Sequence, residues 1–566
     1  MLLTRWGREI GDIPLCEYPR PQFKRESYFC LNGKWQLSFS KEKKIPNSFE
    51  YEILVPFSPE TPLSGVSRTL ESDEYLIYQR NFELEEDFNK GRVFINFGAV
   101  DQIAEVYLND SFVGSHHGGY TPFSFEITGF IKDGENTLCV ICEDKCEENE
   151  YSRGKQKTKR GGIWYTKQSG IWQSVWLEST PLEYIKSVRI TPDYDKEQVS
   201  FEFENASGVE ILVYDGNEII ADTTDKTIKL PQFKEWSPEK PFLYDVVFKY
   251  KKDRVKSYFG MRKFSKGVDD NGIPRLFLNN KPYFHNGLLD QGYYPDGFLT
   301  PPSYEALEYD VKTMKECGFN MLRKHIKIEP LLWYHYCDVN GIIVWQDMIN
   351  GGGSYGAETN VLPFLNINLD DTNYKTFKRT NAKARKLYYK ELKEMVDLLY
   401  NCPCIAMWVP FNEGWGQFDS GKAYELLREW DKTRLVDSAS GWHDRGKSDV
   451  VSKHIYFTPI RVKVSERPYV LSEFGGYGLK IENHTFSDKM FGYRIYKSKE
   501  KLTKAYKKLF EKVIIPQIKT GLCATVYTEV SDVEDELNGL MTYDREILKI
   551  DKEVLKGING NVMANE

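Results

Sequence analysis

Two glutamates each end a short apolar run and precede a cluster of glycines and aromatic residues. Glu413 ends the run Ile405-Ala-Met-Trp-Val-Pro-Phe-Asn-Glu413, and Glu473 ends the run Tyr469-Val-Leu-Ser-Glu473. A buried apolar strand has no use for a carboxylate at its end unless that carboxylate faces a cavity. Two facing carboxyl groups can break a glycosidic bond, one as proton donor and the other as nucleophile. The pair therefore predicts a carbohydrate-cleaving site.

The pair falls in a region, residues 263–566, where strand-like runs alternate with helical runs. This alternation is typical of parallel βα units. Eight strands in about 300 residues predict a (β/α)₈ TIM barrel, whose catalytic groups come from the C-terminal strand ends. Glu413 ends the predicted fourth strand and Glu473 the seventh, so the ring brings them together across its mouth. The predicted strands are 282–287, 321–323, 342–345, 405–408, 435–439, 454–457, 470–473 and 522–527; the predicted helices are 304–316, 329–339, 388–400, 422–431 and 500–513, with weak helical patterns in the fifth and sixth units.

Before the barrel the chain is rich in strands. Residues 1–180 contain short alternating runs separated by Gly, Asp-Gly and Asn-Asp turn signals, which predict a β-sandwich. The run from Ala104 to Gly114 predicts a hairpin with its turn at Asn109 and Asp110. Residues 181–262 form a shorter set of strands whose size suits an immunoglobulin-like sandwich.

Composition restricts the partners. The chain has 566 residues, 41% of them hydrophobic and 28% charged, with a net charge of −7. This balance gives no reason to expect a nucleic acid or an anionic membrane as a partner. No apolar run approaches the ~20 residues that span a bilayer, and the first residues lack the apolar core of a signal peptide. We therefore expect a cytoplasmic protein, or a periplasmic one if a leader precedes this sequence.

No cofactor and no metal site is predicted. The histidines fall on different predicted elements without ligand spacing such as His-x-x-x-His, and no phosphate-binding glycine loop is present. Two basic stretches, residues 155–160 and the lysine-rich helix near 501–512, predict solvated faces. The pair His116-His117 predicts a solvated turn.

A set of motifs spread over nearly the whole chain carries a family resemblance. Asn320-Met-Leu-Arg323 is followed by Trp333-Tyr334, Asp338 and Gly341-Ile-Ile-Val-Trp345, and residues 401–413 end in Asn-Glu. Together with residues 118–123, 162–176 and 259–262, these motifs resemble glycoside hydrolase family 2, the family of β-galactosidases, β-glucuronidases and β-mannosidases. One departure is that His325 and Pro330 replace the family's compact His-Tyr-Pro. The resemblance implies a jelly-roll, sugar-binding-type β-sandwich at 1–180, an immunoglobulin-like β-sandwich at 181–262 and a catalytic TIM barrel at 263–566.

The same resemblance implies roles for individual residues. Glu413 is expected to be the acid/base and Glu473 the nucleophile of a retaining mechanism. Asn412 is expected to bind the sugar 2-hydroxyl, Arg323 to hold the charge of Glu473, and Tyr456 to orient that nucleophile. His454, two places before Tyr456, is a further candidate substrate-binding residue. The other candidates lie at or just past barrel strand ends: Asp290, Trp345, Asp347, Trp415, Trp442 and Glu529.

The sequence says less about which sugar is bound. Residues 539–545 resemble a stretch that follows the uronate-reading motif of glucuronidases, but Glu536 stands just before it and a glutamate would repel a uronate. We therefore expect a β-galactosidase-like exo-β-glycosidase that acts on a carbohydrate. β-Mannosidase-like or arabinopyranosidase-like hydrolysis, transglycosylation and non-catalytic carbohydrate binding stay open, as does a homo-oligomer.

Overall fold

The computed structural model describes residues 2–356, 358–359, 362–365 and 367–565. Its N-terminal part is a sandwich of a six-stranded sheet, in the order β3-β2-β4-β10-β7-β8, and a four-stranded sheet, in the order β1-β14-β5-β9. The strands are β1 (Phe29–Cys30), β2 (Gly33–Ser40), β3 (Tyr51–Val55), β4 (Tyr75–Phe82), β5 (Arg92–Phe97), β6 (Val100–Asp101), β7 (Ile103–Leu108), β8 (Ser111–His117), β9 (Phe123–Glu126), β10 (Asn136–Glu143), β11 (Gln156–Lys157), β12 (Tyr165–Thr166), β13 (Gly170–Ile171) and β14 (Val175–Thr180).

The predicted hairpin of this sandwich is confirmed. In β7 every second residue is buried, so Ala104, Val106 and Leu108 face the core. Asn109 and Asp110 connect β7 to β8 with φ angles of 50° and 63°. Two positive φ angles in a two-residue loop match the twist of the flanking strands, which explains why Asn and Asp occupy it.

The second domain is a smaller sandwich of sheets β15-β16-β19 and β18-β17-β20-β21. Its strands are β15 (Ser187–Asp193), β16 (Gln198–Glu204), β17 (Glu210–Asp215), β18 (Glu218–Thr223), β19 (Thr227–Lys229), β20 (Tyr244–Tyr250) and β21 (Asp253–Phe259). Phe201 packs edge-on against Phe248 and Phe259, with ring centroids 5.5 and 6.0 Å apart. These rings join the two sheets. A small sheet, β22 (Phe264–Val268), β23 (Pro274–Leu278) and β24 (Lys281–Pro282), leads into the barrel.

The third domain contains all eight predicted barrel strands, and they are parallel in the order β29-β28-β27-β26-β25-β34-β31-β30. They are β25 (His285–Asp290), β26 (Met321–Lys324), β27 (Ile343–Asp347), β28 (Ile405–Val409), β29 (Leu435–Val436), β30 (Val451–Ile455), β31 (Tyr469–Gly475) and β34 (Leu522–Thr528); a short pair, β32 (Tyr477–Gly478) and β33 (Arg494–Ile495), lies between the last two. The fifth and sixth strands form the two ends of the hydrogen-bonded sheet, so it is a curled half-barrel. A hydroxyl contact of 3.2 Å between Ser440 and Ser452 links those ends.

The helices of the structure include all five predicted ones, four of them with shifted ends; the first helix and the last two were not predicted. They are α1 (Arg5–Arg8), α2 (Tyr304–Glu316), α3 (Leu331–Asn340), α4 (Ala382–Leu399), α5 (Ser420–Trp430), α6 (Lys499–Leu509), α7 (Ile515–Ile518) and α8 (Lys552–Met563), with 3₁₀ turns at Pro62–Ser64 and Leu362–Leu365 and a π-helical turn at Phe510–Ile514. The α4 helix begins six residues before its predicted start because the Asn381 side chain caps it. Residues 437–450 and 456–468 contain no helix, in agreement with the weak patterns of the fifth and sixth units. Within the described ranges, no helix is both long and apolar enough to cross a membrane.

Candidate active site

The two predicted catalytic glutamates lie together at the carboxyl ends of the barrel strands. Glu413 stands just beyond β28 and Glu473 lies within β31, and both are buried. One oxygen of each carboxyl group and a ring nitrogen of His454 all lie within 4.8 Å of one another. Glu413 has a left-handed backbone with a φ of 50°, and Gly414 follows with a φ of 69°. Backbone of this kind is costly outside glycine and is typical of functional sites.

Arg323, the third residue of β26, is fully buried and binds several site residues at once. Its Nε and Nη2 atoms donate to the two Asp347 oxygens at 2.9 and 3.0 Å. Nη1 donates to Glu473 Oε1 at 3.2 Å, and Nη2 donates to Asn412 Oδ1 at 2.7 Å. Because a guanidinium is rigid and planar, it fixes the directions of all three partners. The contact with Glu473 is the one its predicted role requires.

Tyr456 and His454 reach the glutamates from the end of β30. The Tyr456 hydroxyl donates to Glu473 Oε2 at 2.7 Å, and its ring stacks on Tyr493 with centroids 3.6 Å apart. His454 Nδ1 is hydrogen-bonded to Glu413 Oε1 at 2.6 Å and lies 3.4 Å from Glu473 Oε2. Tyr456 can therefore orient Glu473, while His454 contacts both carboxyl groups. Burial lowers the pKa of His454 to about 4, so the ring is neutral at pH 7.

The Asn412 side chain has one polar atom that is available to a ligand. Its Oδ1 accepts from Arg323, whereas its buried Nδ2 has no hydrogen-bond partner among the described residues. A buried donor without a partner costs about 1–3 kcal/mol unless a ligand satisfies it. This amide is placed to donate to a sugar hydroxyl, although the predicted contact with the 2-hydroxyl stays a prediction.

Burial acts on both glutamates, but their neighbours differ. Burial raises the pKa of Glu413 to about 7, against the lowering effects of the Lys155 and Arg323 charges. Burial also raises the pKa of Glu473; there His454, Arg323 and the Tyr456 hydrogen bond favour the charged form, while the Glu413 charge disfavours it. Glu413 is thus able to carry a proton near neutral pH, and Glu473 has two donors on its carboxylate. This asymmetry suits an acid beside a nucleophile.

The remaining predicted residues occupy different surroundings. Asp347 binds Arg323 and also accepts from His325 Nδ1 at 2.8 Å. Asp290 accepts from Lys324 at 2.8 Å in a buried ion cluster with Glu329. The Trp345 indole donates to His285, the first residue of β25, so its polar atom is bound at the opposite end of the barrel from the two glutamates. Trp442 lies with its ring centroid 6.3 Å from His454.

Glu529, also predicted, lies just past β34 beside Glu536. It is fully buried, and both of its oxygens lack a hydrogen-bond partner among the described residues, although the Gln291 amide is close enough to favour its charged form. Burial and the Glu536 charge raise the pKa of Glu529 well above its usual range. Glu536 accepts from the Tyr165 hydroxyl at 2.7 Å and from the Asn538 amide at 3.0 Å. The site therefore contains a second acidic pair.

The prediction that residues 155–160 form a solvated face holds for Thr158 and Lys159, which are exposed, but is wrong for the rest of the stretch. Lys155 is only 4% exposed, and its ammonium lies 5.0 Å from the centre of the Trp415 ring. Arg160 pairs with Glu534 and Asp535 at 3.3 and 2.9 Å. The reason is that the N-terminal domain packs its β11–β12 segment over the barrel, and Trp164 of that segment contacts Trp415 at 4.9 Å. A basic run has the same sequence pattern whether its side chains are exposed to solvent or packed against another domain.

The predicted solvated turn at His116-His117 is also wrong. Both residues belong to β8, His117 is exposed, and His116 is buried with its ring stacked 4.3 Å from Phe123. Burial lowers the pKa of His116 to about 3. This histidine is a packing residue of the sandwich.

One arrangement among the described residues has the spacing of metal ligands, namely Glu413, His454 and Glu473. Sequence spacing missed it because the three side chains come from three separate strand ends. A cation there would lie beside Arg323, whose guanidinium is 3.2 Å from Glu473 and repels a second positive charge. Hydrogen bonds and the raised pKa of Glu413 account for these residues without a metal.

Three family models match consecutive parts of the chain. The glycosyl hydrolases family 2 sugar binding domain matches residues 68–181, the glycosyl hydrolases family 2 model matches 183–262, and the family 2 TIM barrel domain matches 276–547. These boundaries follow the two sandwiches and the barrel described above. The chain belongs to glycoside hydrolase family 2.

Relatives of known sequence bear two kinds of name. A β-galactosidase of Thermoanaerobacter pseudethanolicus is 25% identical over 430 residues, which cover 71% of this chain and 54% of that protein. A β-galactosidase of Priestia megaterium is 23% identical and covers 82% of this chain and 46% of its own length. A β-glucuronidase of Bacteroides fragilis is 24% identical, covering 78% and 65%. The chain spans about half the length of the β-galactosidases that it matches.

Solved structures resemble the whole chain. A β-glucuronidase from an uncultured Clostridium species superposes with a TM-score of 0.75 at 18% identity, covering 96% of this chain and 99% of that one. A β-galacturonidase from Eisenbergiella tayi superposes with a TM-score of 0.69 at 20% identity, covering 96% and 98%. At these identities the likeness shows a shared fold.

Proposed function

We propose that this protein is a retaining exo-β-glycosidase that hydrolyses a terminal β-linked sugar, with Glu473 as nucleophile and Glu413 as acid/base. One observation carries the proposal: the two buried carboxyl groups have oxygens within 4.8 Å of each other. Retaining enzymes hold their two carboxyl groups about 5–5.5 Å apart, whereas inverting enzymes need about 6.5–9.5 Å to admit a water.

The first step forms a glycosyl-enzyme ester. Glu473 attacks the anomeric carbon while Glu413 gives its proton to the glycosidic oxygen, so the bond to the leaving alcohol breaks as the ester bond forms. Glu413 is suited to this role because its pKa of about 7 keeps it protonated at mildly acid pH. Arg323 and Tyr456 hold Glu473 as they donate to its two oxygens.

The second step releases the sugar. Once Glu473 is esterified its negative charge is gone, and Glu413 loses the neighbour that disfavoured its own ionisation. Glu413 then takes a proton from a water molecule, and the oxygen of that water attacks the anomeric carbon and expels Glu473. Two inversions give net retention.

The walls of the pocket favour a neutral sugar, and a β-galactosidase-like specificity is our first choice. Glu529 and Glu536 supply buried carboxyl oxygens, and the Asn412 amide supplies a donor without a partner among the described residues. Sugar hydroxyls can both donate to such oxygens and accept from such a donor. A uronate carboxylate would instead meet two further acidic groups beside Glu413 and Glu473.

A β-uronidase is the second candidate, and one observation favours it. Lys155 is a buried residue near the site, and its ammonium has no carboxylate partner among the described residues. The β-glucuronidase and β-galacturonidase folds also superpose on this chain. A panel of nitrophenyl β-glycosides, including the galactoside, mannoside, arabinopyranoside, glucuronide and galacturonide, separates the two candidates because each enzyme type turns over only its own group.

The catalytic assignment is tested by Glu473→Gln. We expect turnover of the best glycoside of the panel to fall below about one thousandth of the original, since no other carboxylate can attack the anomeric carbon. The matched control is Glu391→Gln, because Glu391 is an equally buried glutamate that binds Ser152 at the domain interface. Activity of the Glu473 variant above a few per cent, or release of the α-anomer first in an NMR time course with the unmodified protein, would overturn the proposal.

A further inference from the structure

Lys155 is a buried lysine that the N-terminal domain extends into the barrel mouth. It precedes β11, and its carbonyl oxygen accepts from the Tyr165 amide at 3.0 Å, which fixes the segment. The residue is 4% exposed. Burial of a charged ammonium is costly unless a partner of opposite charge or several acceptors compensate it.

The surroundings of this ammonium are aromatic. Its Nζ atom lies 5.0 Å from the ring centre of Trp415, 5.4 Å from Tyr165 and 5.6 Å from Trp164. Ring faces attract a cation, but they accept no conventional hydrogen bond. In the described part of the chain, no hydrogen-bond acceptor lies within bonding distance of this atom.

Other buried lysines of the barrel behave differently. Lys324 donates to Asp290 and Glu329 at 2.8 Å, and Lys549 donates to Asp532 at 2.5 Å. Each of those lysines has at least one carboxylate partner within the protein. Lys155 retains three donor hydrogens for another partner.

Two contacts show where the ammonium lies. Trp415 is two residues past Glu413, and Tyr165 donates to Glu536. The ammonium is thus between the segment that carries the acid and the acidic pair Glu529 and Glu536. Its charge acts on both sides, because it opposes the raised pKa of Glu413 and that of Glu529. Under the proposed function, a sugar that contacts Glu413 would lie beside this ammonium.

We propose that Lys155 is a substrate-binding residue that donates hydrogen bonds to a hydroxyl group of the terminal sugar, so that the N-terminal domain completes the pocket. The inference rests on the proposed glycosidase function and names the group that its pocket reads. A hydroxyl suits the position better than a carboxylate, because the four glutamates around the pocket disfavour another negative charge.

The position of the Lys155 charge has its own signature in the pH profile, which shows that the ammonium acts at Glu413 and complements the test of the sugar contact. Removal of the Lys155 charge takes away an effect that lowers the pKa of Glu413, so that pKa rises and the alkaline limb of kcat/KM moves to higher pH. The other ionisable groups around Glu413 stay in place. They are His454, Arg323, Glu473, Glu536, Tyr456 and Tyr493.

The experiment compares Lys155→Met with a matched control, Lys157→Met. Lys157 is part of the same segment and lies 4.5 Å from the Trp164 ring, but it is half-buried and farther along the chain. We expect K155M to lower kcat/KM about 10- to 100-fold, the range for loss of a hydrogen bond from a charged donor, and to shift the alkaline limb upward. K157M should change kcat/KM less than about twofold, as is usual for a substitution outside a binding site.

A panel of monodeoxy nitrophenyl glycosides identifies the hydroxyl. For the sugar that lacks the bound hydroxyl, the activity ratio between the unmodified protein and K155M should collapse to less than about threefold. A ratio that stays constant across the panel would overturn the inference, whether or not the pH limb moves. If K155M melts at a markedly lower temperature, Lys155→Arg replaces it in the experiment, because arginine keeps the charge. The Arg variant should leave the pH limb in place but still change the activity ratios for the deoxy sugars. Absence of any glycosidase activity in the unmodified protein would instead refute the proposed function.

Discussion

The pKa of Glu413 predicts the alkaline side of the activity profile. With a pKa of about 7, about nine tenths of Glu413 is protonated at pH 6 and about one tenth at pH 8. Because the first step needs the protonated form, kcat/KM should lose about tenfold for each pH unit above the limb. The assay is kcat/KM between pH 5 and 9 with an alkyl glycoside, whose leaving alcohol needs a proton.

The perturbation is Glu413→Gln, which removes the proton and keeps the shape. We expect the alkaline limb to disappear and kcat/KM for a poor leaving group to fall about 10²- to 10⁴-fold, the usual worth of a general acid. A dinitrophenyl leaving group departs without a proton, so its first step should be affected far less. Azide, a small nucleophile that needs no general base, should then accelerate turnover of the trapped ester.

Glu391→Gln supplies the control for this prediction as well. Burial raises the pKa of Glu391 to about 8, so its titration would resemble that of Glu413 if buried glutamates in general shaped the profile. We expect E391Q to leave the limb unchanged. An alkaline limb that persists in E413Q, or one that vanishes in E391Q, would refute the assignment of Glu413 as the acid.

Two further substitutions test the network around the pair. Arg323→Met should shift the acid limb of kcat/KM to higher pH, because the charge that lowers the pKa of Glu473 is lost. It should also cost about 3–5 kcal/mol in stability, because Asp347 and Glu473 stay buried without their guanidinium partner. pH profiles and melting temperatures check these two effects, and an unmoved acid limb contradicts the first. Asn412→Ala should lower kcat/KM about 10- to 100-fold for ordinary glycosides, because a buried donor to the sugar is lost. The loss should be far smaller for a 2-deoxy glycoside. An equal loss of kcat/KM on both substrates contradicts the 2-hydroxyl contact.

The candidate catalytic pair could be found from the sequence because strand ends have a clear pattern. The Glu413 and Glu473 runs are short, apolar and closed by glycines, and the barrel order then fixes which mouth they share. All eight strands were predicted for the same reason. The fifth is the least regular, with only Leu435–Val436 in the sheet, and there the alternation of strand and helix gives no signal either.

The rest of the site depends on packing that a local pattern does not contain. His454 was predicted to bind substrate, but its bond to Glu413 follows from a register irregularity between Lys453 and His454 in the pairing with β31. Trp345 is close in sequence to Asp347, yet its indole nitrogen binds His285 at the other end of the barrel. Alternation along a strand tells which face a residue takes but not how far a long side chain reaches.

Lys155 shows the same limit at the level of domains. Its position in a basic run resembles many solvated stretches, and only the docking of the sandwich on the barrel places it beside Trp415. No count of charges in the sequence distinguishes the two cases. A signal does exist in the residues around it, because Trp164 and Tyr165 provide aromatic faces that a solvated run does not need.

The different roles proposed for the two glutamates are supported by their neighbours, since burial affects both alike. Glu473 receives donors from Arg323 and Tyr456, which lie on the second and sixth strands, and these bonds stabilise its anion. Glu413 has no such pair of donors and contacts a neutral His454. In the proposed mechanism the acid is therefore the glutamate with fewer hydrogen-bond donors, and the charge that limits its pKa comes partly from Lys155 on another domain. If so, movement of the N-terminal domain relative to the barrel would change the proton affinity of the acid as well as the shape of the pocket.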